Sequence, residues 1–267
     1  MINGATRVFA ILGDPVAHSL SPTMYNAAFR ALGIPAVYVP LPCPTEEVPA
    51  LIRGLGKAGG GGNVTVPHKK AAARAVDVCR DLVERVDACN TFWSDNGGTV
   101  GDNTDVHGVL AALRELEAPD APWLIAGTGG AARAAVIAAQ QRGVGVAVTS
   151  RDDGRRRRFE EWVTSQGVAL TSASECGVLI NSTPLGLHDS DALPIQPGVA
   201  PDAEVALDMV YAAGETPWVR AMRPRVRRAG DGRAMLVAQG AAAFELWFPD
   251  KRAPVEVMRA AVNAALR

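Results

Sequence analysis

Residues 123–151, WLIAGTGGAARAAVIAAQQRGVGVAVTSR, constrain the fold more than any other stretch. A short apolar run leads into a glycine turn, a long alanine-rich run follows, and Gly143 stops it before a second apolar run. That order predicts one βαβ unit, and a helical crossover obliges its two strands to run parallel. The same alternation recurs before it. RVFAILG (7–13), AVYVPL (36–41) and NVTVP (63–67) read as strands. SPTMYNAAFRALG (21–33), TEEVPALIRGLG (45–56) and HKKAAARAV (from 68) read as helices. CNTFWSDNGGTVGDN (89–103) reads as a hairpin turning at Asn96-Gly97, and TDVHGVLAALREL (104–116) as a helix. GVLINS (177–182) and EVALDMVY (204–211) supply further strands, and helical material follows Leu236. Regular β/α alternation predicts largely parallel sheets covered by helices. The Pro-flanked break APDAP (118–122) before a fresh βαβ start predicts two α/β domains with a cleft between them.

The chain has 267 residues, enough for two cores, and a formal net charge of -1. Near-neutrality argues against a dedicated nucleic-acid binder. Cys43, Cys79, Cys89 and Cys176 form no C-x-x-C pair, so neither a metal site nor a redox dithiol is expected. No basic leader or apolar run of transmembrane length is present in the sequence. The expectation is a soluble, cytoplasmic protein without a membrane partner.

Gly127-Thr128-Gly129-Gly130-Ala131-Ala132 fits G-x-G-x-x-(G/A) between a strand and a helix. The first glycine permits the tight turn, the second admits a pyrophosphate to the backbone, and the helix N-terminus offers it free N–H groups. After the next strand, where an acidic residue would hold an unphosphorylated ribose, stand Ser150 and Arg151. A hydroxyl and a guanidinium suit a 2′-phosphate, so NADP is favoured. Asp152 beside them keeps NAD open. Arg155 to Arg158 read as a solvated helix start.

A nicotinamide enzyme acting on an alcohol needs a group to carry the hydroxyl proton. His18, His68, Lys69, Lys70, Asp105 and His107 are candidates. Lys69 follows a strand that would hold its backbone, whereas Lys70 reads as solvated. Asp105 is either a dipole-favoured residue at a helix N-terminus or the partner of a cleft lysine. In HSLSP (18–22), Ser19 and Ser21 are either helix caps or two hydroxyls for one carboxylate. The glycines of GGGG (59–62) read as a lengthened loop before the strand.

Together these stretches resemble the shikimate dehydrogenase family. HSLSPTMYN, NVTVPHK, CNT, GDNTD, GTGGAARA, NSTPLG, LDMVY and GRAMLVAQGAAAFELW match its motifs, in family order, from residue 13 to 247. The resemblance implies reversible NADP-linked reduction of 3-dehydroshikimate to shikimate, on the route to chorismate and the aromatic amino acids. It implies a substrate-binding domain over 1–103 plus 237–267 and a Rossmann-type NADP-binding domain over 104–236. Carried onto matching positions, Ser19, Ser21 and Tyr211 would bind the ring carboxylate, and Asn63, Thr65, Asn90 and Gln239 the ring hydroxyls. Lys69 and Asp105 would form the catalytic pair. Gly127, Thr128, Gly129, Gly130 and Ala131 would cradle the pyrophosphate, Ser150 and Arg151 the 2′-phosphate, with Thr183, Met209 and Gly232 along the rest of the cofactor.

Two departures bear on specificity. Ser150-Arg151-Asp152 replaces the family's Asn-Arg-Thr, and Tyr211-Ala212-Ala213 its Y-x-P. An NAD-preferring quinate/shikimate or aminoshikimate-type dehydrogenase is therefore the first alternative, and a catalytically silent NADP-binding module the second. Monomer and homodimer are both compatible with the sequence.

Overall fold

The structure is a computed structural model that describes residues 2–267. The chain forms two compact α/β units, Met1–Asp105 with Leu236–Ala265, and Val106–Met235 with the last two residues.

In the first unit, strands β1 (Arg7–Gly13), β2 (Ala36–Pro42), β3 (Gly61–Val64), β4 (Val78–Cys79), β5 (Thr91–Asp95) and β6 (Gly98–Asp102) form one mixed sheet in the order β2-β1-β3-β5-β6-β4. Helices α1 (Ser21–Ala31) and α2 (Val48–Lys57) provide the crossovers that let β1 pair in parallel with both β2 and β3. β5 and β6 form an antiparallel hairpin whose turn carries Asn96 at φ 47° and Gly97 at φ 83°. Two left-handed residues in succession are the requirement of a type I′ turn, which Asn-Gly meets at least cost.

The third strand departs from the sequence expectation. It starts at Gly61, two residues earlier than predicted, and ends at Val64. Gly61 and Gly62 are therefore buried within the sheet and are not a loop extension. A Cβ on Gly60 would run into the Val8 carbonyl oxygen, one on Gly61 into that of Phe92, and one on Gly62 into that of Ala10. Backbone closeness to both neighbouring strands selects glycine here. Gly59 alone has the loop character expected of all four, with φ +75° and open space around it.

Helices α3 (Lys69–Ala75) and α4 (Asp81–Val86) follow β3 and β4. Helix α5 (Asp105–Glu115) opens on the last residue of the first unit and carries the chain into the second. Helix α9 (Arg233–Trp247) brings it back, and α10 (Val255–Ala265) packs on α1. The aromatic core of the first unit joins Phe9 of β1 and Tyr25 and Phe29 of α1 to Phe244 and Trp247 of α9 and to Phe248 beyond it. Trp247 also donates its indole N–H to the Thr91 hydroxyl at 3.0 Å, as a buried indole requires.

The second unit is an all-parallel sheet of β7 (Trp123–Ala126), β8 (Val146–Thr149), β9 (Val178–Asn181), β10 (Val205–Asp208) and β11 (Arg228–Gly230), ordered β11-β10-β9-β7-β8. Helices α6 (Gly130–Arg142), α7 (Asp153–Ser165) and α8 (Pro217–Met222) belong to this unit. Beyond β8, Leu170 makes a parallel bridge with Val146. Counting that bridge as a vestigial strand, the order is the 3-2-1-4-5-6 of the Rossmann fold, with its reversal between β7 and β9. Ala132 and Ala134 to Ala139, with Val136 and Ile137 among them, are buried along α6, the small side chains that a helix pressed against such a sheet needs.

Candidate active site

In the first unit, the end of β3 and the loops around it place most of the polar candidates. Lys69 is the first residue of α3, and its backbone carbonyl accepts from Cys89 N–H at 2.9 Å, which ties the helix start to the segment before β5. Its Nζ lies 2.5 Å from Asp105 Oδ2, and both side chains are largely buried. Asn90 Nδ2 donates to the other oxygen of Asp105 at 2.9 Å and to the Thr104 hydroxyl at 3.0 Å, while Asn90 Oδ1 accepts from Thr104 N–H at 2.8 Å. Gln239 Oε1, from α9, stands 3.4 Å from both Asn90 Nδ2 and Thr104 Oγ1. Asn103 accepts the Asp105 backbone N–H at 3.1 Å and donates to the Ala88 carbonyl at 2.8 Å, so the loop before α5 is fixed from both sides. Asn63 joins through its amide, which donates to the Asn90 carbonyl at 3.2 Å, and its Oδ1 accepts from the Tyr38 hydroxyl at 2.8 Å.

Lys69, Asp105, Asn90, Gln239 and Asn63 therefore form one hydrogen-bonded set. Ser19 and Thr65 lie outside it. The N-cap position of α1 is Leu20, which has no side-chain cap bond, and Ser19 Oγ instead serves the first helical N–H. Ser21 is buried and its N–H faces Ser19 Oγ at 3.3 Å. His68 drops out of the acid–base candidates. It is buried, its Nε2–H donates to the Cys43 carbonyl at 2.8 Å, and its Nδ1 meets the Thr45 hydroxyl at 3.0 Å. Lys70 is half-exposed and pairs with Asp87 at 2.8 Å. His18 and His107 are exposed.

In the second unit, the remaining candidates gather at the carboxyl edge of the parallel sheet, where open α/β sheets bind ligands. Gly127 follows β7 with φ +112°, and a Cβ there would lie 2.6 Å from Ser182 Oγ and 3.2 Å from Thr183 Cγ2. The turn after β7 and the segment after β9 thus touch at the reversal of strand order. Thr128 and Gly129 continue the turn, and Gly130 and Ala131 open α6, whose N-terminal N–H groups carry no side-chain cap. Met209 follows β10, and Gly232 follows β11 with its N–H donating to the Val210 carbonyl at 2.9 Å. A Cβ on Gly232 would stand 2.8 Å from the Met209 carbonyl carbon. Tyr211 lies half-buried just past β10, also in the second unit.

Ser150 and Arg151 follow β8. Asp152 is the N-cap of α7, its Oδ1 accepting from Arg155 N–H at 2.8 Å and its Oδ2 lying 3.6 Å from the Arg155 guanidinium. That backbone hydrogen bond holds the Asp152 carboxyl below its ordinary value. Its Oδ1 thus serves the start of the helix. Arg151 is exposed and makes no ion pair among the described residues.

Two groups at this edge, Asn181 of NSTPLG and Asp208 of LDMVY, lie in motif stretches but have no role assigned from the sequence. Asn181 Oδ1 accepts from Thr183 N–H at 2.9 Å and from the Thr183 hydroxyl at 2.7 Å. Asn181 Nδ2 in turn donates to Asp208 Oδ1 at 2.8 Å. Asp208 is fully buried and meets only neutral donors, so burial pushes its carboxyl up to about 6.

The family model of the shikimate dehydrogenase substrate binding domain matches residues 11–92, and that of the shikimate 5'-dehydrogenase C-terminal domain matches residues 232–262. The shikimate dehydrogenase (NADP(+)) of Microcystis aeruginosa is 37% identical over 98% of this chain and 98% of its own. The chain belongs to the shikimate dehydrogenase family. The shikimate 5-dehydrogenase of Thermus thermophilus, solved in complex with NADP(H) and shikimate, is 34% identical and superposes with a TM-score of 0.89 over 97% of this chain and 99% of its own. A second shikimate dehydrogenase, solved in complex with NADP+, gives a TM-score of 0.90 at 28% identity over 100% of this chain and 98% of its own. The two-unit α/β architecture is that of these shikimate dehydrogenases. Among the described residues, no helix is long and apolar enough to cross a membrane.

Proposed function

We propose that this chain catalyses the reversible NADP-linked interconversion of 3-dehydroshikimate and shikimate, as its relatives' names state for them. The reading makes the first unit the substrate-binding and catalytic domain and the second the dinucleotide-binding domain. The observation that carries it is the Lys69–Asp105 pair at 2.5 Å, set among amides and hydroxyls of Asn63, Asn90, Thr104 and Gln239. A polyol needs that mixture of neutral donors and acceptors, and a proton carrier must stand among them.

In this reading the bound nicotinamide supplies the hydride. Lys69 Nζ donates a proton to the ketone oxygen as it becomes a hydroxyl, and takes it back in the reverse direction. Asp105 keeps the ammonium aimed and balances its charge, while Asn90 fixes the second carboxylate oxygen so that the pair cannot rotate apart. Ser19, Ser21 and Tyr211 take the ring carboxylate, and Asn63, Thr65, Asn90 and Gln239 the hydroxyls. Gly127 to Ala131 hold the pyrophosphate. Gly127 fits that role because its positive φ and its contact with Ser182 and Thr183 leave no room for a side chain. Ser150 and Arg151 hold the 2′-phosphate. NADP is favoured over NAD because Asp152, the carboxylate that would accept from a free ribose, already caps α7. Four free thiols accord with a reducing, cytoplasmic setting.

The test is a rate matrix with NADPH and NADH against 3-dehydroshikimate and 3-dehydroquinate, run on the unaltered chain and on Lys69→Ala. The highest kcat/KM is expected for NADPH with 3-dehydroshikimate, and Lys69→Ala should lower kcat by at least about 10²–10⁴-fold, the span of general acid–base contributions. A preference for NADH and the quinate analogue would replace this reading with the related quinate/shikimate one. NADPH binding without turnover on either substrate would point to a silent module.

A further inference from the structure

The loops at the carboxyl edge of the second sheet are joined by a buried carboxylate that no proton-transfer step uses. Asp208, the last residue of β10, accepts at Oδ1 from Asn181 Nδ2 at 2.8 Å and from Val210 N–H at 3.0 Å. Its Oδ2 accepts from the Thr216 hydroxyl, the N-cap of α8, at 2.6 Å. Asn181 has one amide to orient, and Asp208 and the Leu185 carbonyl take its Nδ2 hydrogens. Its Oδ1 is thereby forced toward Thr183, where it accepts both the backbone N–H and the hydroxyl. The Thr183 methyl in turn abuts the position a Gly127 Cβ would occupy, so the same residue borders the glycine turn.

We propose that Asp208 is a positioning residue of the dinucleotide site, holding Thr183 against the glycine turn through Asn181. The proposal rests on the dinucleotide reading given above. Reversing the Asn181 amide would set its NH₂ against the Thr183 N–H and its oxygen against an Asp208 oxygen, so the carboxylate selects one orientation. A buried amide with that choice made for it keeps Thr183 in a single rotamer, and the dinucleotide meets a preformed edge.

NADPH and shikimate dissociation constants measured on the unaltered chain, Asp208→Ala, Asp208→Asn, Thr183→Ala and the two double variants test this. Asp208→Ala should weaken NADPH about tenfold, the worth of roughly one lost buried hydrogen bond, with shikimate affinity within about twofold of the unaltered chain. Asp208→Asn keeps the shape and removes the charge, so about a threefold loss is expected. In the Thr183→Ala background, neither change should weaken NADPH much further, because sites in one network are non-additive. NADPH affinity equal to the unaltered chain in folded Asp208→Ala or Asp208→Asn would overturn the proposal. So would equal losses of NADPH and shikimate affinity, or the same loss with and without Thr183. If Asp208→Ala does not fold, the isosteric variant decides by the same cycle. Failure of the unaltered chain to bind NADPH would instead overturn the dinucleotide reading itself, and this proposal with it.

Discussion

Asp105 and Asp208 are both buried, yet only Asp105 faces a cation. Asp105 meets Lys69 on one oxygen and Asn90 on the other, an arrangement that favours ion pairing and costs heavily if one partner is removed. Asp208 has neutral donors alone, and the like charge of Asp231 adds to the effect of burial. The two groups are thus suited to different tasks, one to steady a proton carrier and the other to orient an amide. The ionisation of Asp208 also leaves a mark on stability. An unfolded aspartate titrates near 3.8, whereas burial holds the folded one at about 6, so the folded chain binds that proton more tightly. Its contribution is therefore most favourable below about pH 4, declines as pH rises to about 6, and is level above that. The span is roughly 3 kcal/mol. Urea midpoints between pH 4 and 7 should show the unaltered chain losing ground to Asp208→Asn across that window, and parallel profiles would refute the shift.

At the scale of elements, β3 shows how closely a strand can be held by its neighbours. Gly62→Ala would drive a methyl into the Ala10 carbonyl, and Gly61→Ala into that of Phe92. Each should cost at least about 1–3 kcal/mol, as overpacked core sites do. Gly59→Ala has free space and only an unfavourable φ, so about 1–2 kcal/mol is expected. Chemical denaturation of the three variants should rank them in that order, and equal losses would show that the close approach is not limiting. This strand also marks where the sequence was hard to read. Val64, Thr65 and Val66 have the β-branched character of a strand, but only Val64 lies within the regular element, because after two further bonds, Thr65 N–H to the Leu12 carbonyl and Asp14 N–H to the Val66 carbonyl, the chain turns into α3. Glycine carries no hydrophobic signal, so the paired residues were the ones read as loop. The hairpin, the βαβ unit and the long helices were legible because turn chemistry and periodicity are local. Short β4 and β11 were not, since two or three residues carry no pattern. Thr104 and Tyr38 had no local signal either, because their partners, Asn90 and Asn63, lie 14 and 25 residues away in sequence. Asp208 stood inside a recognisable apolar run, and only its pairing with Asn181 across adjacent parallel strands gives it a task.

For the molecule as a whole, ligand linkage offers the broadest test of the cofactor reading. NADPH at a hundred times its dissociation constant should add about 2.7 kcal/mol to the unit that binds it. For a domain of this size that is a rise of roughly 10 °C in Tm. Thermal scans with NADPH and NADH at equal concentration should show the larger shift with NADPH, and equal shifts would remove the 2′-phosphate preference assigned to Ser150 and Arg151. Apart from its last two residues, the chain crosses between its units at only two places, after Asp105 and before Leu236. Lys69, Asn90, Thr104, Asp105 and Gln239 all fall on one side of those junctions, even though Asp105 begins a helix that runs on into the second unit and Gln239 sits in one that starts there. The two crossover helices are therefore natural splice points. A chimera that exchanged Val106–Met235 for the equivalent segment of a relative would import a different nucleotide preference while inheriting the proton-handling residues complete.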